Sequence, residues 1–239
     1  VKIFFSYYGG KYRCAPHYSA PEFDTIIEPF AGSAGYSVRH YAKNVILVDK
    51  DEKVAMLWDY LINVSSQEIM SLPDIASGTT VDEYNLSEEQ KYLVGFWLNK
   101  GSAAPCKMPS KWMRTGSGLF WGANVRDRIA SNVENIRHWK IIHGSYEDAP
   151  DMPATWFVDP PYQAAGKHYR HSSNNIDFAA LGDWCRSRTG QVMVCENEGA
   201  SWLPFIPFRS IKGTHGKTRS GVSVEVLWTN DPPLQSAAL

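Results

Sequence analysis

The feature that most narrows the fold lies between Thr25 and Leu61, where short apolar runs alternate with helix-like segments. Thr25 to Glu28 (TIIE) reads as a short buried strand that runs into PFAGSAG. Helix-like spacing follows over residues 33–41, and Val45 to Val48 (VILV) reads as a second buried strand stopped by Asp49. Lys50 to Leu61 places acids early and apolar residues at helical intervals, which predicts a second helix. Strand, small-residue loop, helix, strand, acid, helix is the first half of an open α/β sheet of the nucleotide-binding kind.

Small residues between a strand and a helix let the backbone approach a ligand closely. The segment EPFAGSAG, Glu28 to Gly35, nevertheless lacks both G-x-G-x-x-G and the phosphate loop's G-K-[ST]. Asp49, at the tip of the second strand, could accept from a ribose hydroxyl. It could equally cap the helix beyond it.

A second junction, TWFVDPPYQA at residues 155–164, poses the same choice. Thr155 to Val158 reads as an interior strand of β-branched and aromatic residues. Two consecutive prolines cannot donate to a sheet ladder and they stiffen the backbone around them, so Asp159 and Tyr162 are held rigidly at the strand's carboxyl end. In open α/β sheets that edge is where ligands bind, although Asp and Pro also make ordinary turns.

Between these junctions the alternation breaks. Ser87 to Asn99 reads as a helix opened by a capping box, Ser87 with Gln90. Residues 101–122 are rich in Gly, Ser, Pro and Lys and read as a long loop, of a length that is usually functional or mobile. Asn124 to Trp139 returns to helix with Val125, Ile129, Val133 and Ile136 on one face. Strands follow at Lys140 to His143, Thr155 to Val158 and Gln191 to Cys195, with a helix over Phe178 to Arg188. The segment FRSIKGTHGKTRSGVSVEVLWTN reads as two antiparallel strands around a glycine-rich basic turn.

At 239 residues and 44% hydrophobic content, the chain can form one large α/β domain with an inserted subdomain. No apolar run is long enough to span a bilayer, and VKIFF passes at once into polar SYYGGK, so neither a membrane nor a secretory route is expected. Cys14, Cys106, Cys185 and Cys195 form no C-x-x-C pair and read as reduced packing residues of a cytoplasmic protein without a metal site.

The net charge of −1 conceals a polarity. From Glu68 to Glu89 every charge is acidic, whereas from Lys100 to Lys140 Lys100, Lys107, Lys111, Arg114, Arg126, Arg128, Arg137 and Lys140 face only Asp127 and Glu134. Arg209, Lys212, Lys217 and Arg219 form a second basic stretch. Segregated charge suits a phosphate-facing side, against the alternative of solvated surface helices.

Read in order, SYYGGK, IIEPFAGSAG, VDKD and FVDPPY resemble the amino-DNA methyltransferases that use S-adenosylmethionine. Above all they resemble the adenine-N6 enzymes of the DNA adenine methyltransferase group, in a small phage or prophage form. The likeness covers nearly the whole chain and is weakest over residues 64–138. It implies a Rossmann-like fold with a mostly parallel sheet, helices on both faces and a C-terminal antiparallel hairpin. The catalytic domain would comprise residues 1–63 and 139–239, with residues 64–138 a helical target-recognition insert.

The resemblance also implies roles for individual residues. Tyr8, Gly9, Gly10 and Lys11 would line the methionine end of S-adenosylmethionine. Glu28, Pro29, Phe30, Ala31, Gly32 and Ser33 would form the cofactor loop, Asp49 would hold the ribose, and Tyr146 would lie near the adenine ring. Asp159 and the Pro160 carbonyl would accept the two N–H groups of a target amine, with Pro161 stiffening the turn and Tyr162 stacking on the base, which must leave the duplex to be reached. Double-stranded DNA would be gripped by Lys107, Lys111, Arg114, Arg126, Lys167, Arg170, Lys217 and Arg219, and no metal is called for. Two positions depart from the pattern: Ala34 stands where the family's loop commonly has Gly, and Ser145 where an acid often precedes the Tyr146 position.

Other features read less sharply. Lys167, His168, Tyr169, Arg170 and His171 suit a flap beside the motif, and Glu196 and Asn197 end a strand on the same edge. Trp112 and Trp121 could stack on bases or pack the insert, and Asp231-Pro232-Pro233 reads as a tail turn. An N4-cytosine methyltransferase and a catalytically silent nucleic-acid-binding protein of the same fold are the rival readings. The recognition sequence and any partner restriction endonuclease are left unspecified.

Overall fold

The computed structural model describes residues 1–99, 101–111, 113, 117–164, 170–212 and 222–230. Its strands are β1 (Thr25–Glu28), β2 (Asn44–Asp49), β3 (Lys140–His143), β4 (Ala154–Val158), β5 (Gly190–Asn197), β6 (Ile206–Lys212) and β7 (Val222–Thr229). They form one sheet in the order β3-β2-β1-β4-β5-β7-β6. The first five strands are parallel, and β7 runs antiparallel between β5 and β6. This is a Rossmann-like arrangement, mostly parallel with a C-terminal antiparallel hairpin, as the sequence predicts.

Strand residues alternate between two cores because successive side chains leave opposite faces of a pleated sheet. Ile26, Leu47, Phe157, Met193 and Cys195 enter one core, while Ile27, Val48, Trp156, Val158, Val192 and Val194 enter the other. The middles of the central strands are therefore apolar on both faces, the mark of a sheet covered on both sides. The first core is closed by α1 (Gly35–Arg39), α2 (Glu52–Asn63), α4 (Glu88–Gly95) and α5 (Ala123–Ala130), and the second by α6 (Phe178–Ser187).

Chain order fixes where a ligand could sit. The path runs outward from β1 to β2 and β3, then returns to the other side of β1 as β4. The loops leaving β1 and β4 thus diverge, and the crevice between them is a topological switch point.

Three helices differ from the sequence reading. The helix over 124–139 stops at Ala130, because Ser131 Oγ donates to the Asp127 carbonyl at 2.6 Å and Asn132 Nδ2 to the Arg128 carbonyl at 2.6 Å. Side chains that bond back to the previous turn end the helix, and a 3-10 turn, Val133–Ile136, keeps the apolar face buried. The short helix α3 (Ser66–Ser71) was hidden because it buries only Ile69; Ser65 caps it by accepting from Glu68 N. The box at Ser87 and Gln90 is present, and α4 behind it is shorter than predicted.

The residue 64–138 segment shares the first core with α2 and the N-terminal strap, whose Phe4 and Phe5 pack against Trp58 and Phe96. Trp97 Nε1 donates to the Phe4 carbonyl at 2.9 Å. The acidic and basic runs, separated in sequence, meet in space: Lys107 and Lys91 flank Asp82 at 2.8 and 3.4 Å, and Arg126 pairs with Asp74. Trp112, Arg114, Lys167, His168, Tyr169, Lys217, Arg219 and the Asp231-Pro232-Pro233 turn lie outside the described residues.

Candidate active site

A cavity of about 450 Å³ opens at the switch point. The loop after β1 forms its floor, with Glu28, Pro29, Phe30, Ala31, Gly32 and Ser33 all lining it. The loop is fixed on both sides of one residue: Gly32 N donates to Asp49 Oδ2 at 2.9 Å, and the Gly32 carbonyl accepts from Trp58 Nε1 at 2.8 Å. Asp49 Oδ1 also takes Asp51 N at 2.8 Å. Asp49 therefore shapes the loop as well as facing the cavity; the helix beyond it is capped not by Asp49 but by Asp51, whose side chain accepts from Lys53 N.

Ala34 closes the loop in the left-handed region at φ 47°, the one such non-glycine among the described residues. Its position corresponds to the departure noted in the sequence, and the backbone there takes the form glycine adopts most readily. Gly35 comes next for a steric reason: a Cβ on it would lie 2.3 Å from Tyr12 N and under 3 Å from Lys11 backbone atoms. The N-terminal strap thus crosses directly over the start of α1, and that crossing sets Lys11 in the cavity wall beside Tyr8, Gly9 and Gly10.

From the floor, Phe30 stacks with Tyr146, centroids 5.7 Å apart, and Trp184 meets Tyr146 edge-on at 5.1 Å. Residues 170–180 complete the wall through Arg170, Asn175, Ile176, Asp177 and Ala180. Arg170 reaches across to Asp51 at 3.3 Å, and Asp177 caps α6 by accepting from Ala179 N and Ala180 N. Of these, sequence reasoning had singled out Arg170 alone, and for a phosphate role. The usable signal was topological, since the segment comes after β4 and must start on the same edge of the sheet.

Asp159 and Pro161 line the cavity, while Pro160 and Tyr162 do not. Asp159 Oδ1 lies 2.8 Å from Lys11 Nζ, with the two side chains 9% (Lys11) and 19% (Asp159) exposed. Lys11 Nζ also donates to the Gly9 carbonyl at 3.2 Å and stands 4.7 Å from the centroid of the Tyr162 ring. Tyr162 is turned away from the cavity, its hydroxyl donating to Glu225 Oε1 at 3.1 Å. Glu196 is buried; its Oε1 accepts from Gln163 N at 2.7 Å and Trp202 Nε1 at 3.2 Å, which pins the turn from behind. Trp121 is buried and donates to the Pro73 carbonyl, a packing role.

Burial sets the charge states. Burial would lower the Lys11 ammonium's pKa, but Asp159 and Glu225 hold it above its ordinary value. Burial raises Asp159, and Lys11 opposes the rise. Glu28, which accepts from Ser37 N at the start of α1, is pushed up by burial to about 8, and Asp49 to about 6. With Glu28 protonated near neutrality, five other acids line the cavity, Asp49, Asp51, Glu147, Asp159 and Asp177, against Lys11, Lys50, Arg170 and His171, a balance that favours a cationic ligand. Among the described residues no group of three or more His, Cys, Asp or Glu could hold a metal ion, and no helix is long and apolar enough to cross a membrane.

No protein-family model matches the chain, and no curated protein matches it. Among solved structures, a conserved hypothetical protein of Streptococcus pyogenes is similar at 11% identity and a TM-score of 0.39, over 92% of this chain and 92% of that one. A candidate methylase of Haemophilus influenzae is similar at 14% identity and a TM-score of 0.35, over 91% of this chain and 84% of its own.

Proposed function

We propose that the protein transfers a methyl group from S-adenosylmethionine to the exocyclic N6 amine of an adenine in DNA. The observation that carries this reading is the shared cavity: Asp159, at the end of β4, faces the same space as Asp49 and the Phe30–Tyr146 pair. The residues present fit the cofactor. The volume is in the range of small-molecule sites, the aromatic pair suits an adenine ring, Asp49 lies where a ribose acceptor is needed, and the acidic surplus suits a sulfonium. When bound, S-adenosylmethionine supplies an electrophilic methyl carbon.

The chain's own residues address the nucleophile. An exocyclic adenine amine attacks poorly because its lone pair is delocalised into the ring. Asp159 and the Pro160 carbonyl are assigned as acceptors of its two N–H groups, drawing the lone pair back to nitrogen and aiming it into the cavity. Fixed acceptors cost no reorganisation at the moment of reaction, and holding two reactants at attack geometry is worth up to about 7–11 kcal/mol.

Lys11 has two effects on the acceptor. It favours the ionised form of a carboxylate that burial would neutralise. It also occupies one carboxylate oxygen and one neighbourhood of the Tyr162 ring, leaving the amine the remaining lone-pair sites of Asp159. The amine gives up one proton for each methyl gained, and Asp159 is assigned as its acceptor.

A DNA duplex as substrate is supported by the resemblance of the motifs. Lys107 and Arg126 already pair with acids, so their contact with phosphate would require an exchange of partners. Arg170, held by Asp51, would likewise exchange partners; Lys111, Arg114, Lys167, Lys217 and Arg219 are assigned the remaining grip, and binding should weaken with salt accordingly.

The test is incorporation of labelled methyl into duplex DNA, followed by digestion to nucleosides. Label on adenine N6 is expected. Label on cytosine N4 would move the protein to the neighbouring amine chemistry, and absence of both transfer and cofactor binding would mark a silent protein of the same fold.

A further inference from the structure

Glu225 belongs to β7, opposite Asn197 of β5 and Arg209 of β6. Nothing in its local sequence marks it for a role. In the structure it is 2% exposed, and its Oε1 accepts from Tyr18 OH at 2.8 Å and from Tyr162 OH at 3.1 Å. Lys11 Nζ stands 3.6 Å from the same oxygen. Oε2 is buried without a hydrogen-bond partner among the described residues. A buried carboxylate oxygen left unsatisfied is costly, and one cation serves both this acid and Asp159. An apolar residue would pack at a strand position of this kind at lower cost, so the charge calls for a reason beyond packing.

That reason lies in what Glu225 touches. The Tyr162 phenol, bonded to Glu225, is the handle by which its ring can be oriented. Tyr18 is itself wedged by Phe157 at 4.9 Å and Phe208 at 4.9 Å, so it holds Glu225 from the far side. The chain of contacts runs from a packed aromatic group, through one carboxylate oxygen, to the Tyr162 ring and to the ammonium on Asp159.

We propose that Glu225 is a positioning residue of the methyl-transfer site, setting the Tyr162 ring and steadying Lys11 beside Asp159. It acts through those two side chains and does not line the cofactor cavity. The proposal rests on the methyl-transfer reading and extends it to a residue on the C-terminal hairpin, which otherwise reads as a sheet edge.

Three variants test it: Glu225→Ala, Glu225→Gln and Tyr162→Phe, each measured for cofactor affinity by calorimetry, for kcat and for unfolding midpoint. Loss of one positioning hydrogen bond is expected to lower kcat for Glu225→Ala and Tyr162→Phe by roughly tenfold. The double variant should be no slower than the slower single one. Cofactor affinity should stay at the unaltered level in all three. Glu225→Gln keeps an acceptor for both phenols and should recover most of the rate that Glu225→Ala loses, whereas Tyr162→Phe, which keeps the ring's packing and removes only the hydrogen bond, should stay slow, a split that loss of packing would not show. If Glu225→Ala does not fold, the comparison of Glu225→Gln with Tyr162→Phe decides. Unchanged kcat in Tyr162→Phe, or additive losses in the double variant, would overturn the proposal. Failure of the unaltered chain to bind cofactor would sink the methyl-transfer reading instead. The Glu225–Tyr162 contact would then stand or fall on non-additive unfolding midpoints.

Discussion

Replacing Lys11 by Met keeps most of the side chain's length and removes its charge, leaving Asp159 buried without its cation. Breaking a buried pair from one side usually costs about 3–5 kcal/mol, and the partial exposure of Asp159 places this case near the lower end, about 3 kcal/mol. The cost depends on pH. Burial already raises the folded-state pKa of Asp159, and Lys11 is the largest influence opposing that rise. Without Lys11 the folded pKa climbs further above the unfolded one, so between the two values the folded state binds more protons. Stability must then fall as pH rises through that interval. The variant should be closest to the unaltered protein in mild acid, where Asp159 is protonated, and furthest from it above neutrality. Thermal unfolding of both proteins from pH 5 to pH 8 measures this. Parallel curves, or a gap that widens toward acid, would refute the assigned pairing.

Ala34→Gly should stabilise the protein by up to about 1 kcal/mol by denaturant unfolding, since relief of left-handed strain worth roughly 1–2 kcal/mol outweighs the added freedom of the unfolded chain. Gly35→Ala should displace the strap that carries Lys11, lowering both the unfolding midpoint and cofactor affinity, because the new Cβ has backbone on the other side; an unaffected midpoint would contradict the close approach. Glu28 has a folded pKa raised from its ordinary value to about 8, so it removes stability as pH rises from about 4.5 to 8. Glu28→Gln should flatten the pH dependence across that window.

The sheet was legible because its strands are short, apolar and bounded by acids or small residues. Each of the five parallel strands and both hairpin strands lies within a residue or two of where periodicity placed it, apart from longer β5. Helix ends were less legible. Ser131 and Asn132 end α5 through bonds to carbonyls that no periodicity reports. Charge was misleading for a different reason: runs of one sign in sequence fold against runs of the other, as Lys107 on Asp82 shows.

The candidate site was legible where it depends on the chain leaving a strand. Asp159, Asp49 and the Glu28–Ser33 loop needed only their position at strand ends. Glu225, Trp58 and Asp177 were hidden, since each matters through a partner distant in sequence or through a wall formed by a later loop. Tyr162 falls between the two. Its place in the motif was plain, whereas the turn of its ring toward Glu225 depends on a strand at the other end of the chain.

Titration calorimetry with S-adenosylmethionine on the unaltered protein and on Asp49→Ala tests the central claim most directly. The account predicts saturable one-site heat for the unaltered chain and a much weaker isotherm for the variant. No heat in either, or full affinity in Asp49→Ala, would contradict it.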